Sequence, residues 1–162
     1  MEQMELLADL LHRNLGFLNM TLADFSDADF FVRPCPGANH TAWQLGQVCT
    51  AERFFVGKYD PSFPPTPAGW DKKFTKETAG NDDHSFFPKK GELLADLAKV
   101  RSATVAWVKT LKPTDLSKPG PEQLKDFAPT LGRVIALVID HTTMHVGQFQ
   151  VIRRKLGKPI LF

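Results

Sequence analysis

The sequence lacks the features that define several large protein classes. Its 162 residues include only two cysteines, Cys35 and Cys49, so it indicates neither a disulfide framework nor a paired-cysteine zinc motif. No apolar run approaches the roughly 20 residues that cross a bilayer, so we expect no membrane-spanning segment. The net charge is only +2, with acids and bases mixed along the chain, which argues against a nucleic-acid partner.

The composition that remains is typical of one globular domain. Hydrophobic residues make up 43% of the chain and charged residues 23%, which is enough for a sizeable core, so residues 1–162 form a single predicted domain. Acidic residues begin at Glu2, unlike a signal peptide, and we therefore expect a cytoplasmic protein with reduced thiols. Cys49 falls within a helical pattern and is expected to be a small core residue.

Apolar residues recur in steps of three and four over four segments, a spacing typical of amphipathic helices. The segments predict helices over about residues 2–25, from 39–41 to 56, 92–111 and 131–156, and the stretches between them are rich in proline and glycine. We therefore predict an all-α four-helix bundle.

The connection between the second and third predicted helices, residues 57–91, is unusually long. It is rich in proline, glycine and aromatic side chains and shows no sustained periodicity. Connections of this length often serve a function in compact domains. Two interpretations stay open, namely a lid over one end of the bundle and a structural crossover with no role in binding.

The last predicted helix carries polar residues where its pattern calls for apolar ones. His141 and His145 share one helix face and could together bind a divalent ion such as zinc or nickel. The zincin motif is excluded because Thr142, not glutamate, follows the first histidine. The alternative is a hydrogen-bonded core cluster without metal, because buried polar groups need partners. The predicted seam comprises Leu131, Val134, Val138, His141, His145, Gln148 and Ile152.

These motifs resemble the DinB/YfiT-like superfamily. The run 141–148 matches its H-x-x-x-H-x-G-Q pattern, and residues 153–159 match the R-R-x-L-G-x-P segment that follows. Upstream, residues 36–39, 43–46 and 51–52 are similar to the P-G-x-N, W-x-L-G and A-E elements around the family's second helix. The resemblance extends over nearly the whole chain in helix order, although its sharp motifs are confined to these two regions.

The resemblance implies an up-up-down-down four-helix bundle that often forms a homodimer. It also implies a divalent metal held by three histidines, one from the second helix and two from the fourth. Relatives include thiol-dependent transferases and isomerases, so the substrate implied is a thiol or another small molecule.

The sequence departs from the family where the second-helix histidine aligns with Gln47. An amide oxygen is a poorer ligand for zinc or nickel than imidazole is. Three outcomes stay open: weak binding through Gln47, replacement of the ligand by His40, or loss of the metal. Glu52 is expected either to hydrogen-bond a ligand histidine or to pair with a surface lysine or arginine.

Three functions are compatible with this pattern. The first is a metal-dependent thiol transferase or hydrolase with a weakened site made of His141, His145 and Gln47. The second is a non-catalytic bundle that has lost its metal and binds a small molecule. The third is a structural or dimerisation role. The expected pocket is lined by His40, Trp43, Glu52, Phe54 and Gln148.

Overall fold

The computed structural model describes residues 2–161 and confirms the all-α prediction. Four long helices are present: α1 (Gln3–Leu22), α2 (Thr41–Val56), α3 (Lys90–Thr110) and α4 (Leu131–Lys155). The remaining helical elements in the described range are short 3₁₀ turns, and Pro119 and Thr130 form an isolated β-bridge. Helix α1 ends three residues before the predicted Phe25, because Ser26 and Asp29 exchange side-chain-to-backbone hydrogen bonds that set up the following turn.

The helices form a square bundle of two parallel pairs. Helix α1 packs against α3 and α4, and α2 packs against the same two helices, so α1 and α2 lie on one diagonal. Hydrogen bonds from Asn14 to Thr143 and from Gln150 to Thr21 show that α1 and α4 run parallel. Since α2 and α3 run the opposite way, the directions along the chain read up, down, down, up. This order corrects the up-up-down-down order that the resemblance implied. An up-up-down-down chain needs two connections that run the length of the bundle, whereas here only the connection between α2 and α3 joins two parallel helices.

The core consists of two apolar clusters at opposite ends of the bundle. One surrounds Leu18, Leu45 and Phe149, and the other surrounds Leu11, Val100 and Val134. Each long helix contributes to both clusters, which explains why the apolar stripes run the full length of the helices.

A buried polar layer separates the two clusters and involves all four helices. Its centre is the ion pair between Arg101 and Glu52, whose side chains are only 1% and 2% exposed. All five N–H groups of Arg101 have acceptors, because its other partners are the Leu11 carbonyl, Asn14 and Thr142. Thr104 donates a further hydrogen bond of 2.6 Å to Glu52.

The long connection between α2 and α3 packs onto the bundle through its aromatic residues. Phe63, Phe74 and Phe87 are buried, and Phe74 lies directly against Gly46 of α2. A β-carbon at position 46 would overlap the Phe74 ring, so this approach requires glycine. The connection links two parallel helices and must return along the bundle, which accounts for its length.

Within residues 2–161, no helix combines the length and apolarity that crossing a bilayer requires. Both cysteines are free thiols; Cys35 is exposed and Cys49 is buried, as predicted for a core residue. Burial raises the pKa of the Cys49 thiol well above its ordinary value, so this group stays protonated and unreactive.

Candidate functional site

His141 and His145 lie next to each other on the side of α4 that faces α2. His145 is only 8% exposed, and His141 is half-buried. Their Nε2 atoms are 3.3 Å apart, and their rings meet edge to face. Phe55 of α2 contacts the His141 ring, and Phe149 contacts the His145 ring. The pair therefore sits in an aromatic setting at the α2–α4 contact, not on the open surface.

Gln44 of α2 determines which ring nitrogen of His145 carries the proton. The Gln44 amide nitrogen donates to the Asn39 carbonyl at 2.7 Å, so its oxygen faces the histidine. That oxygen lies 2.9 Å from His145 Nδ1 and can only accept, so Nδ1 must carry the proton. The lone pair of His145 is consequently at Nε2 and points toward His141. Orientation of a histidine through its second nitrogen is the usual arrangement in metal sites.

Both imidazoles favour the neutral form. Burial, and to a smaller extent the charge of the neighbouring His141, lower the pKa of His145 to about 4. Burial also lowers the pKa of His141, although the nearby Glu52 carboxylate partly opposes this effect. A neutral imidazole has the free lone pair that metal binding requires.

The separation of the two nitrogens matches the span of two ligands on one ion. Two nitrogens at ~2.0–2.1 Å from a tetrahedral zinc ion lie roughly 3.3 Å from each other. The observed Nε2–Nε2 distance of 3.3 Å has this value. The same distance also suits a direct hydrogen bond, in which His141 Nε2–H donates to the lone pair of His145.

Gln47, the residue aligned with the family's third histidine, is engaged elsewhere. Its amide nitrogen donates to the backbone carbonyl of Phe74 in the long connection. This bond and the packing of Phe74 on Gly46 attach the connection to α2. The side chain at position 47 therefore holds the connection through its nitrogen, which leaves its oxygen as the only donor atom for a metal.

The structure does not support His40 as a replacement ligand. His40 caps α2, with Nδ1 accepting from the Trp43 backbone N–H at 3.1 Å. Its Nε2 donates to the Asn81 carbonyl at 3.1 Å, so both ring nitrogens are in use. Burial between Phe31 and Phe87 lowers the pKa of His40 to about 4. His40 thus belongs to the contact between α2 and the long connection.

The other predicted pocket residues do not converge on one cavity. Glu52 pairs with the buried Arg101 and neither hydrogen-bonds a histidine nor reaches the surface, which corrects both expectations for it. Trp43 is buried, and its indole donates to Thr75 and Thr78 of the connection. Phe54 is 53% exposed, and Gln148 is also exposed. Gln148 lies at the edge of the α4 stripe, where it is open to solvent.

The donor set falls one residue short of a three-ligand metal centre. Among residues 2–161, no three side chains of histidine, cysteine, aspartate or glutamate come together in a metal-binding arrangement. Catalytic zinc usually has three protein ligands and one open position. The two imidazoles supply two nitrogen donors, and a divalent ion would need Gln47, water or a bound molecule for its remaining positions.

Sequence reasoning missed Gln44 and Arg101. Arg101 could have been found, because Leu97, Arg101 and Thr104 follow one another in steps of four and three along the core-facing side of α3. No sequence signal distinguishes Gln44 from Gln47 as the partner of a histidine on another helix.

Comparisons with known proteins agree with this architecture. A solved structure, described as a conserved protein from Enterococcus faecalis, superposes with a TM-score of 0.73 at 20% sequence identity. The superposition covers 98% of this chain and 99% of that one, and it supports the fold alone. No curated protein is significantly similar to the chain.

The family model of the DinB superfamily matches residues 10–149, which include the polar layer, the long connection and both histidines. The four-helix bundle with His141 and His145 facing α2 is the fold expected of such a chain. The chain therefore belongs to the DinB superfamily.

Proposed function

We propose that this chain is a low-affinity divalent-metal protein of the thiol-transferase or hydrolase type, in which only two histidines hold the ion. The observation that carries the proposal is the pair of Nε2 atoms 3.3 Å apart, with the lone pair of His145 directed by Gln44. His141 and His145 would hold the ion, and the Gln47 amide oxygen would be its weak third contact. A bound divalent ion supplies Lewis acidity and stabilises a bound thiolate or hydroxide.

The chain's own residues prepare this site in three ways. Gln44 holds the His145 ring in one tautomer, which avoids the cost of reorienting it when a ligand arrives. Phe55 and Phe149 surround the rings with apolar surface, which disfavours the protonated forms. The bundle leaves His145 only 8% exposed, so water has limited access to its ring.

A second candidate is a non-catalytic bundle without a metal. It is favoured by the hydrogen bond from Gln47 to the Phe74 carbonyl, because Gln47 is the side chain that would otherwise be the third metal ligand. In this case His141 donates to His145, and the chain Asn39–Gln44–His145–His141 is a structural hydrogen-bond network.

Equilibrium dialysis with Zn²⁺ and with Ni²⁺ separates the two candidates. The untagged wild-type protein should bind one ion weakly, and His141→Ala should abolish that binding. Gln47→His should tighten binding at least about tenfold, the scale that ligand-sphere changes produce. His12→Ala, which removes an exposed histidine on α1, is the matched control and should bind as the wild type does.

Two outcomes would overturn the metal proposal. No binding by the wild type at millimolar metal, together with binding by Gln47→His, would support the metal-free bundle. Wild-type binding that survives His141→Ala would place the ion at another site. A cytoplasmic location and a small thiol substrate belong to the same proposal, and a reducing compartment suits two free thiols.

A further inference from the structure

A cavity of about 430 Å³ lies at the end of the bundle where α2 and α3 finish and α4 begins. We call it the end cavity. Its volume falls within the range of small-molecule sites, which is about 300–1,000 Å³. Leu131, which lines it, lies one full helix segment before His141 on α4, or ~15 Å along the helix axis. The end cavity is therefore separate from the histidine pair.

Two aromatic rings line the end cavity. Tyr59, in the short turn that follows α2, stacks on Trp107 of α3, with ring centroids 5.5 Å apart and ring planes 20° apart. Leu111 and Leu131 add apolar surface beside them. Another aromatic ring packs on such surface better than an aliphatic chain does, because ring quadrupoles favour offset and edge-to-face contacts. The lining thus favours a flat aromatic occupant.

The indole N–H of Trp107 is a hydrogen-bond donor that the fold leaves unused. Trp107 is only 7% exposed, yet within residues 2–161 its indole N–H has no hydrogen-bond partner. Buried tryptophans usually find a partner for this group, as Trp43 does with Thr75 and Thr78. The Trp107 nitrogen is not sealed from solvent, and the end cavity is a space that Trp107 lines. An acceptor on a bound molecule would complete its hydrogen bonding.

The charged side chains at the end cavity neutralise each other. Asp115 forms an ion pair of 2.8 Å with Lys118, and its other oxygen accepts from the backbone N–H of Lys112 at 2.7 Å. No further charged side chain lines the cavity within the part of the chain that the structure describes. A charged ligand would have to compete with this ion pair, so the end cavity suits an uncharged molecule.

The segment that carries Lys118 is held in place by the start of α4. The Leu131 backbone N–H donates to the Lys118 carbonyl at 2.9 Å, and the Gly120 N–H donates to the Pro129 carbonyl at 3.0 Å. A β-carbon at position 120 would overlap the Ala128 carbonyl, so this close approach requires glycine. This side of the end cavity is therefore formed before any ligand arrives, which lowers the ordering cost of binding.

We infer that the end cavity binds an uncharged, planar aromatic molecule that carries a hydrogen-bond acceptor. The rings of the molecule pack against Tyr59 and Trp107, and its acceptor receives the hydrogen bond of the Trp107 indole N–H. An aliphatic molecule without an acceptor would leave that donor unpaired. The inference is independent of the proposed metal site, because it uses neither histidine and no metal ion.

Coumarin is the probe for this site, because it has two flat fused rings, no charge and a carbonyl acceptor. In heteronuclear NMR spectra of the isotope-labelled wild type, coumarin should move the Trp107 indole N–H proton downfield, since a new hydrogen bond deshields it. The dissociation constant should lie below about 1 mM. The indole signals of Trp43 and Trp70 should stay in place as internal controls. Naphthalene, which has similar rings but no acceptor, should cause no downfield shift.

Two variants separate the roles of the rings and the donor. Trp107→Phe keeps a ring but removes the N–H, and it should weaken coumarin binding about fivefold while leaving naphthalene binding nearly unchanged. Tyr59→Ala removes the stacked ring and should weaken the binding of both probes. Phe127→Ala removes a 77% exposed ring from the connection between α3 and α4, and this matched control should bind as the wild type does.

The wild-type titration needs no variant to fold, because sequential assignment identifies the three indole signals. An unmoved Trp107 signal at about 5 mM coumarin would overturn the inference. Equal movement of all three indole signals would also contradict it, because the association would be unspecific. Circular dichroism verifies that each variant is folded. In folded variants, coumarin binding that is unchanged by Tyr59→Ala would place the probe elsewhere, and binding unchanged by Trp107→Phe would refute the role of the indole N–H.

Discussion

Replacement of Arg101 by methionine tests the buried polar layer that joins the four helices. Methionine keeps much of the aliphatic volume but removes all five N–H donors. Glu52 would retain only the hydroxyl of Thr104 as a hydrogen-bond donor, and the acceptors on Leu11 and Asn14 would lose their shared partner. The result would be a carboxylate buried without its counter-charge in a layer that is closed to solvent.

The expected loss of stability follows from that arrangement. Removing one partner of a buried ion pair costs about 3–5 kcal/mol, and the loss of the donor to the Asn14 side-chain oxygen favours the upper part of that range. Domains of this size are stabilised by about 5–15 kcal/mol in total. Urea denaturation should therefore show a midpoint lowered by roughly 2 M, because the slope for a domain of this size is ~2 kcal/mol per molar.

Two companion variants make the result specific. Arg101→Met combined with Glu52→Leu removes both charges and should recover at least ~2 kcal/mol relative to the single variant. Lys125→Met breaks an exposed pair with Glu122 and should change stability by under about 1 kcal/mol. The reasoning would be refuted by a single variant that loses less than ~1 kcal/mol, or by a double variant no more stable than the single one.

Two further predictions concern the contact between α2 and the long connection. Gly46→Ala should displace the Phe74 ring and destabilise the protein by about 1–3 kcal/mol, with faster proteolysis within residues 57–89; unchanged proteolysis would contradict the close packing. The pKa of His40 is lowered from 6.5 to about 4 in the folded state, so the unfolded chain takes up a proton first as the pH falls. Stability should therefore decrease between pH 6.5 and 4, by at most ~3 kcal/mol from this group. His40→Asn keeps the helix cap and should reduce this acid sensitivity in pH-dependent urea unfolding, whereas an unchanged pH profile would exclude His40 as its source.

The sequence by itself determined the helices and the face on which the two histidines lie. Both follow from local periodicity, because residues three and four apart share a helix face whatever the helix packs against. The positions of α2, α3 and α4 agree with the predicted segments to within two residues. His141 and His145 were found because they interrupt an apolar stripe.

Only the tertiary structure decided what those side chains contact. Periodicity does not reveal that Gln44, and not Gln47, reaches His145, because both amides lie on α2 one turn apart. It also does not reveal that two carbonyls of the long connection accept hydrogen bonds from α2 and its cap. The Phe74 carbonyl accepts from Gln47, and the Asn81 carbonyl accepts from His40. Those partners lie far away along the chain, and their approach depends on how a segment without periodicity folds back.

The same distinction explains the surface residues. Phe54 and Gln148 are predicted to line a pocket, yet both are exposed. The apolar stripe of a helix indicates which side faces the core, but it does not show how far the neighbouring helices extend over that side. Glu52 and Arg101 are ordinary charged residues in the sequence, and only the meeting of four helices turns them into a buried pair. Local spacing thus fixes the helices and their faces, whereas the partners of each polar group depend on contacts between distant parts of the chain.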